Sequence, residues 1–243
     1  MANKLYLQVE GIHVPLKIKR EWRSSVRFSI SKKSVNLTVP KFYSKNQLAE
    51  ELGKINEWAA LQFKSSPSMM NRFIPKEYKD KDIFKIYGQT FMLVFLPGKA
   101  RGLSGSIENE QVCIRYPEGI DSFNLNKSTG ILLTRLFSKH FLPDVKSRVG
   151  SINNRYFKEQ INAVRLKNNQ SNWGSCSTKR NINLSSRLLF APRDVFDYVI
   201  IHELAHLKEM NHSPKFWSIV ASVMPDYKEK EEWLDLNGPE LRF

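Results

Sequence analysis

The stretch VIIHELAHLKEMNHSPKFW, residues 199–217, holds three of the five histidines of the chain. His202 and His206 are four residues apart, so on a helix their imidazoles project from the same face, one turn apart. Two histidines need this geometry to bind one tetrahedral Zn²⁺. Glu203 lies beside them, and in a helix of the pattern H-E-x-x-H this glutamate takes a proton from the attacking water and does not bind the metal.

The helix that carries this pattern is predicted to be buried. Pro192 and Asp194 are start signals, and from Val195 onward apolar residues occur nearly all round the helix. Two imidazoles and a glutamate left unpaired in such a helix would cost several kcal/mol. A metal site therefore explains the pattern better than buried histidines satisfied by hydrogen bonds.

The helix supplies two ligands, so a third must come from elsewhere in the chain. Glu209 stays on the same face, but it lies three residues beyond His206, about 4.5 Å further along the axis. It cannot converge on one ion with both imidazoles. We expect His212 to be the third ligand, and a glutamate on a following helix, Glu229 or Glu232, is the alternative.

His212 can turn back towards the metal if the helix ends before it. Asn211 is expected to take the left-handed conformation that ends many helices. Ser213 followed by Pro214 is typical of the N-cap and first residue of a new helix. These residues place His212 at a corner between two helices.

Composition restricts the class of protein. The chain has 243 residues, of which 41% are hydrophobic, enough for a real core. Its two cysteines, Cys113 and Cys176, are far apart, which indicates no disulfide framework and favours a reducing compartment. No apolar run reaches the roughly 20 residues that span a bilayer. We expect a cytoplasmic protein without a membrane partner.

Charge is distributed unevenly along the chain. The net charge is +14; residues 1–33 carry +6, residues 146–193 carry +9, and residues 202–243 carry −3. The basic segment 146–193 leads directly into the histidine motif. It fits a solvated face and equally a field that attracts an anionic partner.

Apolar periodicity predicts a β-rich first part, residues 1–120, and a second domain, residues 121–243. A period of two predicts two hairpins, over 5–18 and 26–39, and further strands over 83–96 and 112–116. Ser44 and Gln47 form a capping-box pattern before a helix. In the second part we expect a helix over 126–150 that Pro143 kinks or ends, then strands over 162–167 and 182–190. No internal repeat is evident.

Four motifs together resemble the YgjP-like metallopeptidase-like family, zincin relatives of the SprT and WLM groups. They are NWGSC (172–176), INLSSRLLFAP (182–192), DYVIIHELAHLKEMNHSPKFW (197–217) and PDY (225–227). The resemblance implies an α+β zincin-like fold, with a small twisted sheet over the metal-bearing helix, after a β-rich N-terminal portion. It also implies that His202, His206 and His212 bind Zn²⁺ and that Glu203 is the general base.

The chain departs from related patterns in two places. Glu209 stands where metzincins have a glycine in the turn to the third histidine, so a different turn is needed, with a longer last turn of the helix. Asn172 stands before the tryptophan, where family members often have a basic residue. If that cation contacts substrate, the specificity of this chain differs.

The loop around residues 172–176 and the strand after it hold the candidate substrate-binding residues. Trp173 is either a core or lid aromatic or part of the cleft wall, and Ser175 could donate to a substrate oxygen. Cys176 fits a small buried residue better than a ligand. Asn183 and Arg187 alternate with apolar residues on the strand before the helix. This pattern fits residues of the cleft and fits equally well polar side chains on a solvent-exposed strand. The candidates are Asn172, Trp173, Ser175, Asn183 and Arg187.

We expect a zinc-dependent hydrolase, most simply a metallopeptidase acting on a peptide or protein. A nucleoside triphosphate pyrophosphatase is an alternative that the +9 segment favours, although no phosphate loop of the pattern G-x-x-x-x-G-K-[ST] occurs. A SprT-like protease that clips proteins on nucleic acid is a third possibility. Its phosphate contacts would come from the basic hairpins, through Lys17, Lys19, Arg20, Arg23 and Arg27.

Overall fold

The computed structural model describes residues 5–31, 34–71, 73–74, 76–99, 101–169 and 171–243. The chain divides into two compact units, residues 1–75 and 76–243, and each unit has a hydrophobic core of its own. The described residues form three small sheets and six α-helices. The fold is mixed α+β, as expected.

The first unit begins with the two predicted hairpins. Its strands are β1 (Leu5–Val9), β2 (Ile12–Glu21), β3 (Arg27–Ile30) and β4 (Val35–Pro40), followed by α1 (Lys45–Ser65) and a short α2 (Pro67–Asn71). The sheet order is β1-β2-β4-β3. Each hairpin is antiparallel, and β2 pairs with β4 in parallel. Residues 32 and 33 of the second turn lie outside the described residues.

Alternation along these strands builds the core of the first unit. Every second side chain points to one face, which packs against α1 through Ile55, Ala59 and Phe63. The capping box predicted for α1 is present: the backbone N–H of Gln47 donates to Ser44 Oγ at 3.3 Å, and the N–H of Ser44 donates to Gln47 Oε1 at 2.9 Å.

The second unit repeats this strand topology, although no internal repeat is evident in the sequence. Its strands are β5 (Ile83–Ile86), β6 (Gln89–Gly98), β7 (Ser104–Glu108) and β8 (Gln111–Pro117), with the long helix α3 (Ser122–Ile152) after them. The order β5-β6-β8-β7 has the same antiparallel, parallel and antiparallel pairings. Strand topology needs only the period of two, so it can repeat where the individual residues do not.

A third sheet and the remaining helices follow. The strands are β9 (Ala163–Lys167), β10 (Gly174–Cys176) and β11 (Asn181–Ser185), in the order β10-β11-β9, and a 3-10 turn (Ser186–Phe190) leads into α4 (Arg193–Ala205). The strand predicted over 182–190 therefore ends at Ser185. Helix α3 also continues through Pro143. The chain then forms α5 (Pro214–Val223) and α6 (Tyr227–Asn237).

One buried cluster joins the elements of the second unit. It includes Phe91 of β6, Phe137 of α3, Leu184 of β11 and Ile200 of α4, all 0–2% exposed. Because the sheet β5–β8 shares this core with α3 and α4, the packing division between the units falls after residue 75, earlier than the boundary expected at residue 120. Across the described ranges, no helix combines the length and hydropathy required to cross a membrane.

Candidate metal centre and cleft

Helix α4 is buried on almost all sides and positions the first two histidines. Ten of its thirteen residues are buried, which fits its apolar sequence. His202 lies in its last turn and His206 is its C-cap, and the backbone N–H of His206 donates to the carbonyl of His202. The packed helix therefore fixes both imidazoles next to one another, with ring centroids 5.0 Å apart.

The chain leaves α4 through short turns, and one prediction about this corner is wrong. Asn211 does not have a positive φ; the residues after Ala205 form successive turn hydrogen bonds, with the N–H groups of Lys208 and Glu209 both donating to the carbonyl of Ala205. The helix ends at Ala205, with His206 as its C-cap, so it does not continue to Glu209. Because i-to-i+3 bonds tighten the end of the helix, no left-handed residue is needed.

The second helix of the corner begins as predicted. Ser213 Oγ accepts a hydrogen bond from the N–H of Phe216 at 3.3 Å, and Pro214 is the first residue of α5. This cap places His212 immediately before the helix. Its Nε2 lies 3.0 Å from Nε2 of His202.

His202, His206 and His212 offer three ring nitrogens within 4.8 Å of one another. Tetrahedral zinc with Zn–N bonds near 2.0–2.1 Å holds its ligand nitrogens about 3.3 Å apart, so the cluster fits such an ion. His206 Nδ1 lies 3.2 Å from the carbonyl oxygen of Glu209. A proton held there leaves Nε2 as the ligand atom. Neither Glu229 nor Glu232 belongs to this cluster in the described part of the chain.

Burial sets the charge state of these histidines. It lowers the pKa of His202 to about 3, with repulsion from His206 and His212 acting in the same direction. Burial also lowers the pKa of His206, an effect that its backbone partner at Glu209 opposes. At neutral pH the rings of both residues are therefore neutral, the form in which imidazole binds a cation.

Glu203 is the buried carboxylate of the site. It is 4% exposed, and its Oε2 has no hydrogen-bond partner in the described structure. Burial raises the pKa of this carboxyl to about 8. A buried oxygen without a partner is costly unless a ligand satisfies it, so this group also fits a centre that takes a cation and water.

The raised pKa of Glu203 predicts a pH-dependent stability in chelator-treated protein. The carboxyl ionises near pH 4.5 in the unfolded chain and near pH 8 in the folded one. Its ionisation therefore lowers the free energy of unfolding from about pH 4.5 upward, and the loss levels off above pH 8. Glu203→Gln should raise the free energy of unfolding by on the order of 3–5 kcal/mol at pH 8 and by little at pH 4.5. Urea unfolding at both pH values measures this; an equal gain at both would contradict it.

Gly174 explains how the carboxylate reaches its position. A Cβ built on Gly174 would lie 2.7 Å from both Cγ and Cδ of Glu203 and would overlap Oε1. Glycine therefore permits β10 to pass directly over the carboxylate.

A cleft of about 500 Å³ opens over the histidines. Its floor is α4, one wall is the segment 172–176, and another is α6. The charged residues of its lining, within the described chain, are all acidic: Glu203, Glu231 and Asp235. The full lining is Asn172, Trp173, Gly174, Ser175, Cys176, Tyr198, Val199, His202, Glu203, His206, Met210, His212, Glu231, Leu234 and Asp235.

A family model described as YgjP-like, metallopeptidase domain, matches residues 24–237, which is most of the chain. The chain belongs to the YgjP-like family. Membership makes it a metal-dependent peptidase by class, a hydrolase whose substrates are peptides or proteins.

Two solved structures are similar to part of this YgjP-like chain. The metallopeptidase zymogen of Pyrococcus abyssi abylysin is 28% identical with a TM-score of 0.34, over 37% of this chain and 90% of its own. The metallopeptidase zymogen of Methanocaldococcus jannaschii jannalysin is 24% identical with a TM-score of 0.34, over 38% of this chain and 94% of its own. Comparison with curated proteins gave no match.

Three of the five candidate substrate residues of the YgjP-like chain lie at the cleft. Asn172, Trp173 and Ser175 line it. Asn172 Nδ2 donates to the carbonyl of Gly174 at 2.7 Å, which shapes the loop before β10. Cys176 also lines the cleft, and burial raises the pKa of its thiol to about 11. It is not part of the histidine cluster.

Asn183 and Arg187 do not line the cleft. Asn183 is buried on β11, directly across from Ser175 of the paired strand β10, and its Nδ2 donates to Ser175 Oγ at 3.1 Å. Arg187 lies in the 3-10 turn, where its Nε donates to the carbonyl of Leu241 at 2.7 Å and its guanidinium covers the ring of Trp173 at 4.2 Å. The strand ends at Ser185, so Arg187 does not lie on the same strand as Asn183. The strand alternation expected to include both residues therefore does not occur.

Aromatic residues behind the histidines are a part of the centre that sequence reasoning missed. Phe216 is fully buried, and its ring centroid lies 4.5–4.9 Å from those of His202, His206 and His212. Trp217 stacks on His212 at 5.8 Å. Their position in the sequence could have indicated this contact, because Phe216 and Trp217 lie in the first turn of the helix that Ser213 caps, directly after His212.

Proposed function

We propose that this protein is a zinc-dependent metallopeptidase in which His202, His206 and His212 hold the ion and Glu203 is the general base. One observation carries the proposal: three imidazoles converge beside a buried carboxylate oxygen that has no hydrogen-bond partner among the described residues. Three protein ligands are the number that catalytic zinc sites use, with the fourth position open.

A zinc ion bound there supplies a Lewis acid that polarises the scissile carbonyl and makes water more acidic. The residues of the chain do the rest. Glu203 takes the proton of the attacking water on Oε2 and returns it to the leaving nitrogen as the peptide bond breaks. Burial raises the proton affinity of this carboxylate, which suits a base that must also act as an acid.

The sheet offers a place to align an extended peptide. Strand β10 pairs with β11 alone in its three-stranded sheet, so it is an edge strand, and residues 174–176 line the cleft. We place the substrate main chain along β10, in the manner of β-augmentation. The neighbouring strand β11 cannot take this role, because it is already paired on both sides, with β10 and β9.

The substrate residues follow from this placement. Asn172, Trp173 and Ser175 are proposed to contact the peptide. Asn183 orients Ser175, and Arg187 supports Trp173, so we propose that both act indirectly. The cytoplasmic location also stays a proposal, supported by unpaired Cys113 and Cys176.

The charge of the cleft favours a peptide over a nucleoside triphosphate. Triphosphates are bound by Lys, Arg and backbone amides, whereas the charged lining residues described here are carboxylates. The +9 segment 146–193 contributes Asn172, Trp173, Gly174, Ser175 and Cys176 to the cleft, and none of them is basic.

This contrast predicts the outcome of a parallel assay. Zinc-loaded protein should cleave peptides, with a KM at least about ten-fold lower for a substrate with lysine beside the scissile bond than for one with glutamate. It should release no pyrophosphate from nucleoside triphosphates. Peptide mass spectrometry and a pyrophosphate assay measure both; pyrophosphate release that depends on Glu203, without peptide cleavage, would support the pyrophosphatase instead.

A further inference from the structure

The sheet of the first unit has one face that its own helix does not cover. Leu7, Val14, Leu16 and Leu37 point into the core against α1. The side chains at alternate positions point to the opposite side. We call that side the outer face; it carries Tyr6, Gln8, His13, Pro15, Lys17, Lys19, the acidic Glu21, Arg27, Ser29, Asn36, Thr38 and Pro40.

Strand register aligns cations and hydrogen-bonding groups across the outer face. One row runs from Lys19 through Thr38 to Arg27. The next row runs from Lys17 through Asn36 to Ser29, about 6.6 Å away along the strands. The three cations are exposed, and in the described part of the chain no ion pair involves them.

Exposed aromatic rings accompany these cations. Tyr6 is 44% exposed and meets His13 edge to face at 6.5 Å. Where β2 and β4 end side by side, Trp22 is 82% exposed and Phe42 is 68% exposed, and Lys41 Nζ lies 4.7 Å from the ring centroid of Trp22. Exposed rings of this size offer faces on which the bases of a nucleic acid can stack.

Local charge gives the surface its sign. Residues 1–43 contain nine Lys and Arg but only Glu10 and Glu21 as acids. Not every cation is available, since the guanidinium of Arg20 donates to the carbonyls of Lys41 and Tyr43. The family match begins at residue 24, so β1, β2 and Trp22 precede the region that the metallopeptidase model covers.

We propose that the outer face, with Trp22 and Phe42 at its end, binds single-stranded nucleic acid. Lys17, Lys19 and Arg27 contact phosphates, Thr38 offers a hydrogen bond to a base, and the exposed rings stack on bases, whereas the amide of Asn36 is held by Ser34 and Ser29 within the sheet. Single strands are bound by this combination of cations and stacking rings on an open sheet. This activity is independent of the cleft.

The test uses full-length protein and a fluorescently labelled single-stranded oligonucleotide, followed by anisotropy over a range of salt concentrations. Lys19→Gln/Arg27→Gln should weaken binding and reduce the slope of log affinity against log salt by about 1.4, since each lost phosphate contact contributes about 0.7. Trp22→Ala should weaken binding by roughly ten-fold or more through lost stacking. The matched control is Lys45→Gln/Lys64→Gln, which removes the same charge from exposed positions on α1.

Three results would overturn this proposal. The first is no binding at about 50 mM salt, where contacts of this kind are strong. The second is equal weakening by the control variant, which would mean that net charge alone attracts the strand. The third is equal affinity for polyglutamate or for anionic lipid vesicles, which would assign the outer face to an acidic protein or a membrane surface. Circular dichroism and an unchanged unfolding midpoint show that each variant is folded.

Discussion

Glu203→Gln is expected to lower kcat for peptide hydrolysis by about 10³-fold or more, because general base and general acid catalysis by one positioned carboxyl contributes 10²–10⁴. The glutamine keeps the shape of the side chain but cannot accept the proton of the attacking water. Since the carboxylate is not a metal ligand in our account, the variant should still retain one zinc per chain. Rates with a quenched-fluorescence peptide and zinc by elemental analysis measure the two effects.

Glu209→Gln is the matched control for this variant. Glu209 follows the same helix, but its carboxylate lies 3.7 Å from Lys215 Nζ and outside the cleft lining. We expect its activity to stay within about two-fold of the unaltered protein, as for most surface changes. A Glu203→Gln variant that binds zinc and cleaves at the normal rate would remove Glu203 from the catalytic role.

His212→Ala is expected to weaken zinc binding by more than about 100-fold. Loss of a residue that only hydrogen-bonds to a metal ligand already costs about 10–100-fold in affinity, and loss of the ligand itself should cost more. The substitution leaves only the two imidazoles of His202 and His206, one fewer than the three protein ligands of a catalytic zinc site. Competition with a chromophoric chelator measures the affinity, and the unfolding midpoint with chelator present separates metal loss from misfolding.

Glu229→Ala and Glu232→Ala serve as controls, because these residues are the alternative third ligands and neither joins the histidine cluster. Both variants should hold zinc as tightly as the unaltered protein. If either of them loses zinc while His212→Ala retains it, the third ligand is a glutamate, and the corner after α4 has a different role.

The geometry of the metal centre follows closely from local sequence. Spacing alone places His202 and His206 on one face, and the Ser213 and Pro214 pair predicts the helix start that returns His212. The helical rise that separates Glu209 from the imidazoles is likewise a local quantity. Periods of two predict the hairpins of the first unit and the strands over 83–96 and 112–116, but they predict neither β7 nor the topology that the two sheets share.

The misplaced residues depend on longer-range packing. Arg187 was placed on a strand, but the chain turns after Ser185 and ties the guanidinium to the C-terminal segment, more than 50 residues away. Asn183 was placed in the cleft, but a third strand, β10, lies beside β11 at the edge of the sheet and lines the cleft instead. Neither strand order nor the course of the chain end is encoded within a short window of sequence.

The most direct test of the central claim is a zinc titration of chelator-treated protein with peptide hydrolysis as the readout. We predict that activity is absent after metal removal, rises linearly with added zinc, and reaches its maximum at one ion per chain. Full activity in the zinc-free protein, or stoichiometric zinc binding that restores no peptide cleavage, would contradict the account.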